Sequence, residues 1–462
     1  MLYERRGLLE SSFILCLFIF SISALFNFGF YGWHDQQRVA QLFFLLAIIP
    51  AVCCSAQRRL PGYALSLIIV IAVFGLISSA RASWPEWALK EWGRCLALFI
   101  AFVVISGLAQ RSSVRVAIFG CMVFVGIVQV FQFLVSYVSA FISGINILHA
   151  DVLVGGFSNP RFFGQFQVVL LPVLAFLIAR FFSRCRYKVA AILMVVLVLH
   201  WCVSYVLGGR GMWAATVFSH IFVFIFFRRF WVFLLVQAFA ALLGFFVFVV
   251  LFFTIPSWFD IVPWLHDGLR AGLSSRDLIW MLSWEIAVDN VWLGIGPMHF
   301  SATYNPVAAH PHQVLLQWLS EWGVFSTVLA FFLVGRGLFA GGRVLRSEKF
   351  EYEDVGLWTA LVSGLLLAQV DGVFVMPYTE MWLAILAGVA FSRWASPLVA
   401  GIRQRFVLSI LSIPVVIVLV MVLVREAPVL PATEESYLRE NPVGWAPRFW
   451  EQGWIPMQRY GE

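Results

Sequence analysis

Residues 230–254 read FWVFLLVQAFAALLGFFVFVVLFFT, twenty-five residues without one charged side chain. About 20 apolar residues at a rise of ~1.5 Å each span the ~30 Å hydrocarbon core of a bilayer, so this run predicts a membrane-crossing helix. The next stretch leaves that register. From Ser257 to Gly323 the chain runs SWFDIVPWLHDGLRAGLSSRDLIWMLSWEIAVDNVWLGIGPMHFSATYNPVAAHPHQVLLQWLSEWG, bringing in Arg276, His310 and His312. Arginine and histidine beside a bilayer are costly unless something polar is handled there. This interruption is therefore the first place to look for function.

The rest of the chain extends the pattern. Of 462 residues, 62% are hydrophobic and 12% charged, against about 25% charged in a soluble domain. The excess apolar surface must face lipid. Apolar runs near 8–28, 39–55, 62–80, 93–109, 116–143, 163–181, 188–207, 212–227, 230–254, 313–335, 355–371, 379–397 and 405–424 predict about thirteen spans. The ~10-residue alternating segments of a membrane β-barrel do not occur. The expected fold is an all-α polytopic membrane protein with a large loop between the ninth and tenth spans. It divides into N-terminal transmembrane helices (1–254), an exported loop with an interfacial helix (255–312), C-terminal transmembrane helices (313–424) and an exported polar tail (425–462) with a short surface helix.

Charge sets the orientation. With the N-terminus in the cytoplasm, 19 of the 31 Lys and Arg residues fall on the cytoplasmic side, as the positive-inside rule requires. The net charge of +7 is thus topological, and nucleic acid is not an expected partner. The same orientation puts Arg161, Arg210, Arg276 and His312 together on the exported side, the periplasm in a bacterial inner membrane. The first span has a basic start but is long for a signal peptide and lacks a small-x-small cleavage site, so it reads as a retained anchor. Cys16, Cys53, Cys54, Cys95, Cys121, Cys185 and Cys202 lie in or at the ends of apolar segments, with no CxxC. Neither disulfides nor a cysteine metal site is expected.

Four exported segments carry the chemistry. Arg210 sits in Gly-Gly-Arg-Gly between two closely spaced spans. Glycines admit close backbone approach, and a guanidinium forks onto phosphate oxygens; a loop arginine snorkelling to headgroups has the same sequence. Arg276 follows Ser274 and Ser275, either of which can cap a helix whose Leu278, Ile279, Leu282 and Ile286 form an apolar face in the membrane plane. Arg276 there either faces a cavity or pairs with Asp277. In AAHPHQ, Pro311 suits a first helical position, which puts His312 in the opening turn of the tenth span. The helix dipole would keep His312 neutral and able to accept a proton, or the ring simply solvates a helix end. Finally, GGFSNPRFFGQFQ (155–167) sets Asn159, Arg161 and Gln165 at the mouth of the sixth span, a polar cleft for sugar or phosphate. No third ligand at zinc-like spacing joins His310 and His312, and no DxD, P-loop or GxSxG is present. No metal or cofactor is expected, so arginine would have to neutralise any leaving phosphate.

GGRG with Arg210, SSRDLIW with Arg276, GIGPMHF (294–300) and HPHQVLLQWLSEWG with His312 and Glu321 resemble, in order and placement, the O-antigen ligase/polymerase superfamily. Family members usually carry asparagine where this chain has Gln313. The resemblance implies transfer of a glycan from undecaprenyl diphosphate to an acceptor on the periplasmic face. His312, Arg276 and Arg210 would be catalytic, with Arg161, Asn159, Gln165, His310 and Gln313 binding substrate. NPRFFGQFQ, GIGPMHF and AHPHQ look most like the pilin-type O-oligosaccharyltransferases, which implies a Ser/Thr acceptor on a pilin-like protein. Lipid A–core ligation and O-antigen polymerisation are the neighbouring activities. A lipid-linked glycan transporter is the competing class, but it would place ionisable groups near the bilayer midplane or on both sides.

Overall fold

A computed structural model describes residues 2–53, 57–265, 275–440 and 446–455. Its helices are α1 (Leu2–Ile22), α2 (Trp33–Ile48), α3 (Gly62–Arg81), α4 (Pro85–Leu108), α5 (Ser112–Ile142), α6 (Pro160–Ser183), α7 (Tyr187–Leu207) and α8 (Arg210–Phe226). There follow α9 (Trp231–Val249), α10 (Ile255–Ser257), α11 (Arg276–Asp289), α12 (Val314–Arg346), α13 (Tyr352–Leu367), α14 (Pro377–Trp394), α15 (Ile402–Arg425) and α16 (Leu430–Glu440). Eight described helices are long and apolar enough to cross a membrane, and shorter apolar ones cover Gly7–Ile22 and Arg210–Phe226. Ten of the expected spans overlap these helices, and the runs near 39–55, 355–371 and 379–397 fall on α2, α13 and α14, which are not among them. Two short strands, β1 (Ile147–His149) and β2 (Val262–Trp264), pair in parallel and tie the loop before α6 to the loop after α10.

Helix α6 forms the centre. Every residue from Phe163 to Ala179 is buried, because α7, α13 and α14 pack around it. Outer helices show the opposite pattern: Phe239, Leu242 and Phe246 on α9 and Ile410, Ile413 and Ile417 on α15 are exposed. An apolar surface of that kind belongs against lipid. The N-terminal and C-terminal helix groups interleave, α6 lying on α13 and α4 on α14 and α15.

Alternate helices run in opposite directions, so α2, α4, α6, α8, α12 and α14 all begin at one end of the bundle, called here the cleft end. Two begin earlier than the apolar pattern predicts. Helix α2 starts at Trp33 and α4 at Pro85, taking in His34, Asp35, Arg38, Lys90, Glu91 and Arg94, all buried. Such charges read as loop, yet each finds a partner. Arg38 and Arg94 both pair with Glu380 of α14, Arg94 also reaches Glu91 at 2.7 Å, and Lys90 reaches Glu426 at 2.8 Å.

The tail also differs from its expectation. Helix α16 is the short exposed helix foreseen, but residues 447–455 are buried rather than free as a polar extension. Arg448 and Trp450 are 2% and 0% exposed, and the segment threads back into the cleft end. Residues 441–445 and 456–462 lie outside the described residues, as does Ser274.

Candidate active site

Three helix starts converge on one cleft. Asn159 caps α6 by accepting the Arg161 N–H at 2.9 Å, and Pro160 fills the first helical position, where no N–H is needed. Gly208, at φ +62°, ends α7 in the left-handed region that glycine adopts without strain. The Arg210 N–H then turns back to the Gly208 carbonyl at 2.9 Å, and α8 begins. Arg276 is the first residue of α11. Arg161, Gln165, Arg210, Arg276 and Asp371 line a cleft of about 900 Å³, its open mouth included. Among the described lining residues, three guanidinium groups stand beside one carboxylate. Three helix N-termini add their partial positive ends. The arrangement suits a multiply charged anion.

The electrostatics show how closely these groups are coupled. Burial pulls the Arg276 guanidinium below its ordinary value; the Asp371 carboxylate opposes that, and the charges of Arg161 and Arg210 add to it. Burial would raise the Asp371 carboxyl, but His312 beside it and the Gly372 N–H at 2.8 Å hold it below the usual carboxylate range. Asp371 stays ionised.

His312 does not occupy the opening turn of its helix. Gln313 is the N-cap of α12, accepting the Leu316 N–H, and the helix starts at Val314. Pro311 therefore precedes the cap instead of filling the first turn. His312 sits two residues before the helix, at φ +53°, a strained conformation for a side chain of this kind. Its Nδ1 lies 3.5 Å from Asp371 Oδ1, so a carboxylate and not a helix dipole orients the imidazole. The turn is held from several sides: Trp280 Nε1–H donates to the Pro311 carbonyl at 3.0 Å, and the Val314 N–H to that of Ala368 at 2.9 Å.

The other expected residues separate into two groups. Arg161 and Gln165 line the cleft. Asn159 and Gln313 are helix caps outside the lining, Gln313 donating its Nε2–H to Gln369 at 3.2 Å. His310 is 1% exposed and lies behind His312, ring centres 4.1 Å apart. Burial, followed by the charges of His312 and Arg448, pushes the His310 imidazole well below its ordinary value. Helix α11 buries Ile279, Ser283 and Ala287 against α12, leaving Leu278 exposed. Ser283 Oγ–H donates to Leu316 O at 3.2 Å and to Ser320 Oγ at 3.1 Å. Of the two serines expected to cap α11, Ser275 precedes the helix without a side-chain cap bond, and Ser274 lies outside the described residues.

The GIGPMHF segment is stitched into α12 where that helix breaks. At Gly323 (φ +74°) the helical pattern stops. The freed carbonyls of Ser320 and Glu321 accept the Ile295 and Gly296 N–H groups at 2.9 and 3.1 Å, and the Val324 N–H reaches Val291 O at 2.8 Å. A Cβ on Gly323 would lie 2.3 Å from the Trp292 carbonyl oxygen, so only glycine fits. Glu321 accepts the Phe300 N–H at 3.2 Å and pairs with Arg448 at 2.6 Å. His299 donates Nδ1–H to Pro297 O at 3.0 Å and accepts the Trp84 N–H on Nε2 at 3.1 Å, a structural role. Asp371 was not anticipated. Its signal was a lone aspartate, followed by glycine, in the short turn after an apolar span.

A protein-family model described as O-antigen ligase matches residues 195–331. No curated protein matches the chain. The matched stretch contains Arg210, Arg276, His312 and Glu321; Arg161, Asp371 and Arg448 come from outside it.

Proposed function

We propose that this chain, which belongs to the O-antigen ligase superfamily through residues 195–331, transfers a glycan from undecaprenyl diphosphate to an acceptor hydroxyl at the periplasmic face of the inner membrane. The observation that carries this reading is the meeting of Arg161, Arg210 and Arg276 with the Asp371–His312 pair at one cleft. With the cleft end outward, the side that the Lys/Arg asymmetry of the loops favours, a lipid-linked glycan is available to that cleft. The polyprenyl chain then stays in the bilayer while its diphosphate reaches in from the membrane plane.

Each group answers a physical demand of the reaction. With Nδ1 held by Asp371, the Nε2 of His312 is the ring nitrogen available to take the acceptor's proton, a step worth about 10²–10⁴-fold. The acceptor oxygen forms its bond to the anomeric carbon as the bond to the diphosphate oxygen breaks, that oxygen keeping the electron pair. Charge grows on the diphosphate, and guanidinium groups pre-set around it lower the barrier through charge-assisted, bidentate contacts. Asp371 stabilises the imidazolium that results. The acceptor we favour is a serine or threonine of a pilin-like protein, supported by the NPRFFGQFQ, GIGPMHF and AHPHQ segments.

His312→Ala and Arg276→Ala should express and insert normally but lose transfer with purified lipid-linked glycan. Normal turnover of His312→Ala overturns the base assignment. Deletion of the gene followed by two blots decides the acceptor: altered pilin mobility supports protein glycosylation, and a lost lipopolysaccharide ladder replaces it with ligation to lipid A–core.

A further inference from the structure

The buried segment 446–455 makes contacts that no surface tail would make. Arg448 pairs with Glu321 at 2.6 Å and Glu91 at 3.3 Å. Its neighbours are fixed through the backbone: Arg38 Nε–H donates to Phe449 O at 2.9 Å, and the Glu451 N–H to Asp35 Oδ1 at 2.6 Å. The far end of the segment touches the loop that carries the histidines. The Ile455 N–H donates to Ser301 O at 3.1 Å, and Ser301 Oγ–H donates to Ala309 O at 3.0 Å. Trp454 packs on Ala309, the residue before His310. Glu321, the other anchor, holds the Phe300 N–H of the same loop. Both ends of the segment thus bear on residues 299–312, while none of 446–455 lines the arginine cleft.

We propose that residues 446–455 are an intramolecular strap that sets the His310–Pro311–His312 turn against Asp371, with Arg448 as its positioning residue acting through Glu321. The proposal rests on the transferase reading for its kinetic consequence but not for its structural one. Arg448 touches neither donor nor acceptor. Its loss should leave the three cleft arginines in place and misplace the base.

The test uses full-length protein in lipid nanodiscs, with undecaprenyl-diphosphate-linked glycan as donor. In Arg448→Gln, kcat should fall about tenfold or more while the donor KM stays within about threefold, the split expected when donor binding survives and positioning does not. Amide exchange in residues 299–313 should speed up about 100-fold, with α6 and α13 unchanged, because only a local contact is lost. Trp454→Ala removes the packing on Ala309 without altering charge and should give the same pattern, should Arg448→Gln fail to fold. In Glu321→Gln/Arg448→Gln no buried charge is left uncompensated, so protection of the loop should partly return. Unchanged exchange in 299–313 overturns the proposal, as does equal loss of protection throughout the bundle or a parallel change in kcat and KM. If His312→Ala remains fully active, the transferase reading fails, and loop exchange still decides whether the strap exists.

Discussion

Asp371→Asn isolates the orienting carboxylate from everything else in the cleft. The change keeps side-chain shape and removes one negative charge 3.5 Å from His312 Nδ1. A full charge pair at that separation is worth about 5 kcal/mol at an effective dielectric of about 20, and about 1 kcal/mol in water. The two side chains are 22% and 16% exposed, so the loss of imidazolium stabilisation falls between these limits, near ~3 kcal/mol. At ~1.4 kcal/mol per decade this is a drop of about 100-fold in kcat. Donor binding should move the other way. Removing a carboxylate from beside three arginines makes the cleft more positive, so KM for the lipid diphosphate should hold or fall. Single-turnover transfer with purified donor, read as kcat and KM separately, checks both halves. A kcat within about threefold of wild type refutes the dyad, and a loss carried wholly by KM moves Asp371 to the binding machinery.

Arg210→Lys and Arg276→Lys should each lose about tenfold or more in transfer although charge is kept, because an ammonium lacks the fork; wild-type rates in either variant refute bidentate phosphate contact. Gly372→Ala would set a Cβ 2.2 Å from His310 Nε2, an overpacking cost of about 1–3 kcal/mol, visible as a lower thermal midpoint. His310 is buried neutral, whereas in the unfolded chain it titrates near ~6.5. Below that pH the unfolded state binds a proton the folded state does not, so stability falls on acidification by up to ~1.4 kcal/mol per pH unit. His310→Gln should flatten the wild-type slope between about pH 7 and 5, and an unchanged slope refutes the assignment. Turnover should persist in EDTA, since arginines carry the phosphate charge; metal-dependent turnover refutes that.

The apolar helices were legible because lipid enforces a simple rule: long uncharged runs must be helical and must cross. The cleft arginines were legible for the converse reason, since Arg210 and Arg276 stand beside glycine or serine at breaks between apolar runs. Residues whose meaning depends on a distant partner were not. The WHDQQR start of α2 and the EWALKEWGR part of α4 look like loop until Glu380, Glu426 and Arg448 are brought beside them. The start of α12 was misread by three residues because Pro311 and Gln313 are both plausible helix starters; Gln313 takes the cap, the helix begins at Val314, and His312 is left outside it at φ +53°. The tail misled for the same reason. Arg448 in WAPRFWEQGW looks exposed until Glu321 and Glu91 are seen to need its charge.

The cleft end therefore holds two arginine triads governed by opposite logic. Arg38, Arg94 and Arg448 are matched by Glu380, Glu91 and Glu321, three against three, all nearly or wholly inaccessible. Desolvated charges survive in a protein interior only when paired and hydrogen-bonded, so this triad is architecture: it clamps α2, α4, α12, α14 and the tail segment together. Among the described lining residues, Arg161, Arg210 and Arg276 meet the carboxylate of Asp371, and the cleft is open. Guanidinium groups gathered at helix starts in an open cleft suit an anion from outside.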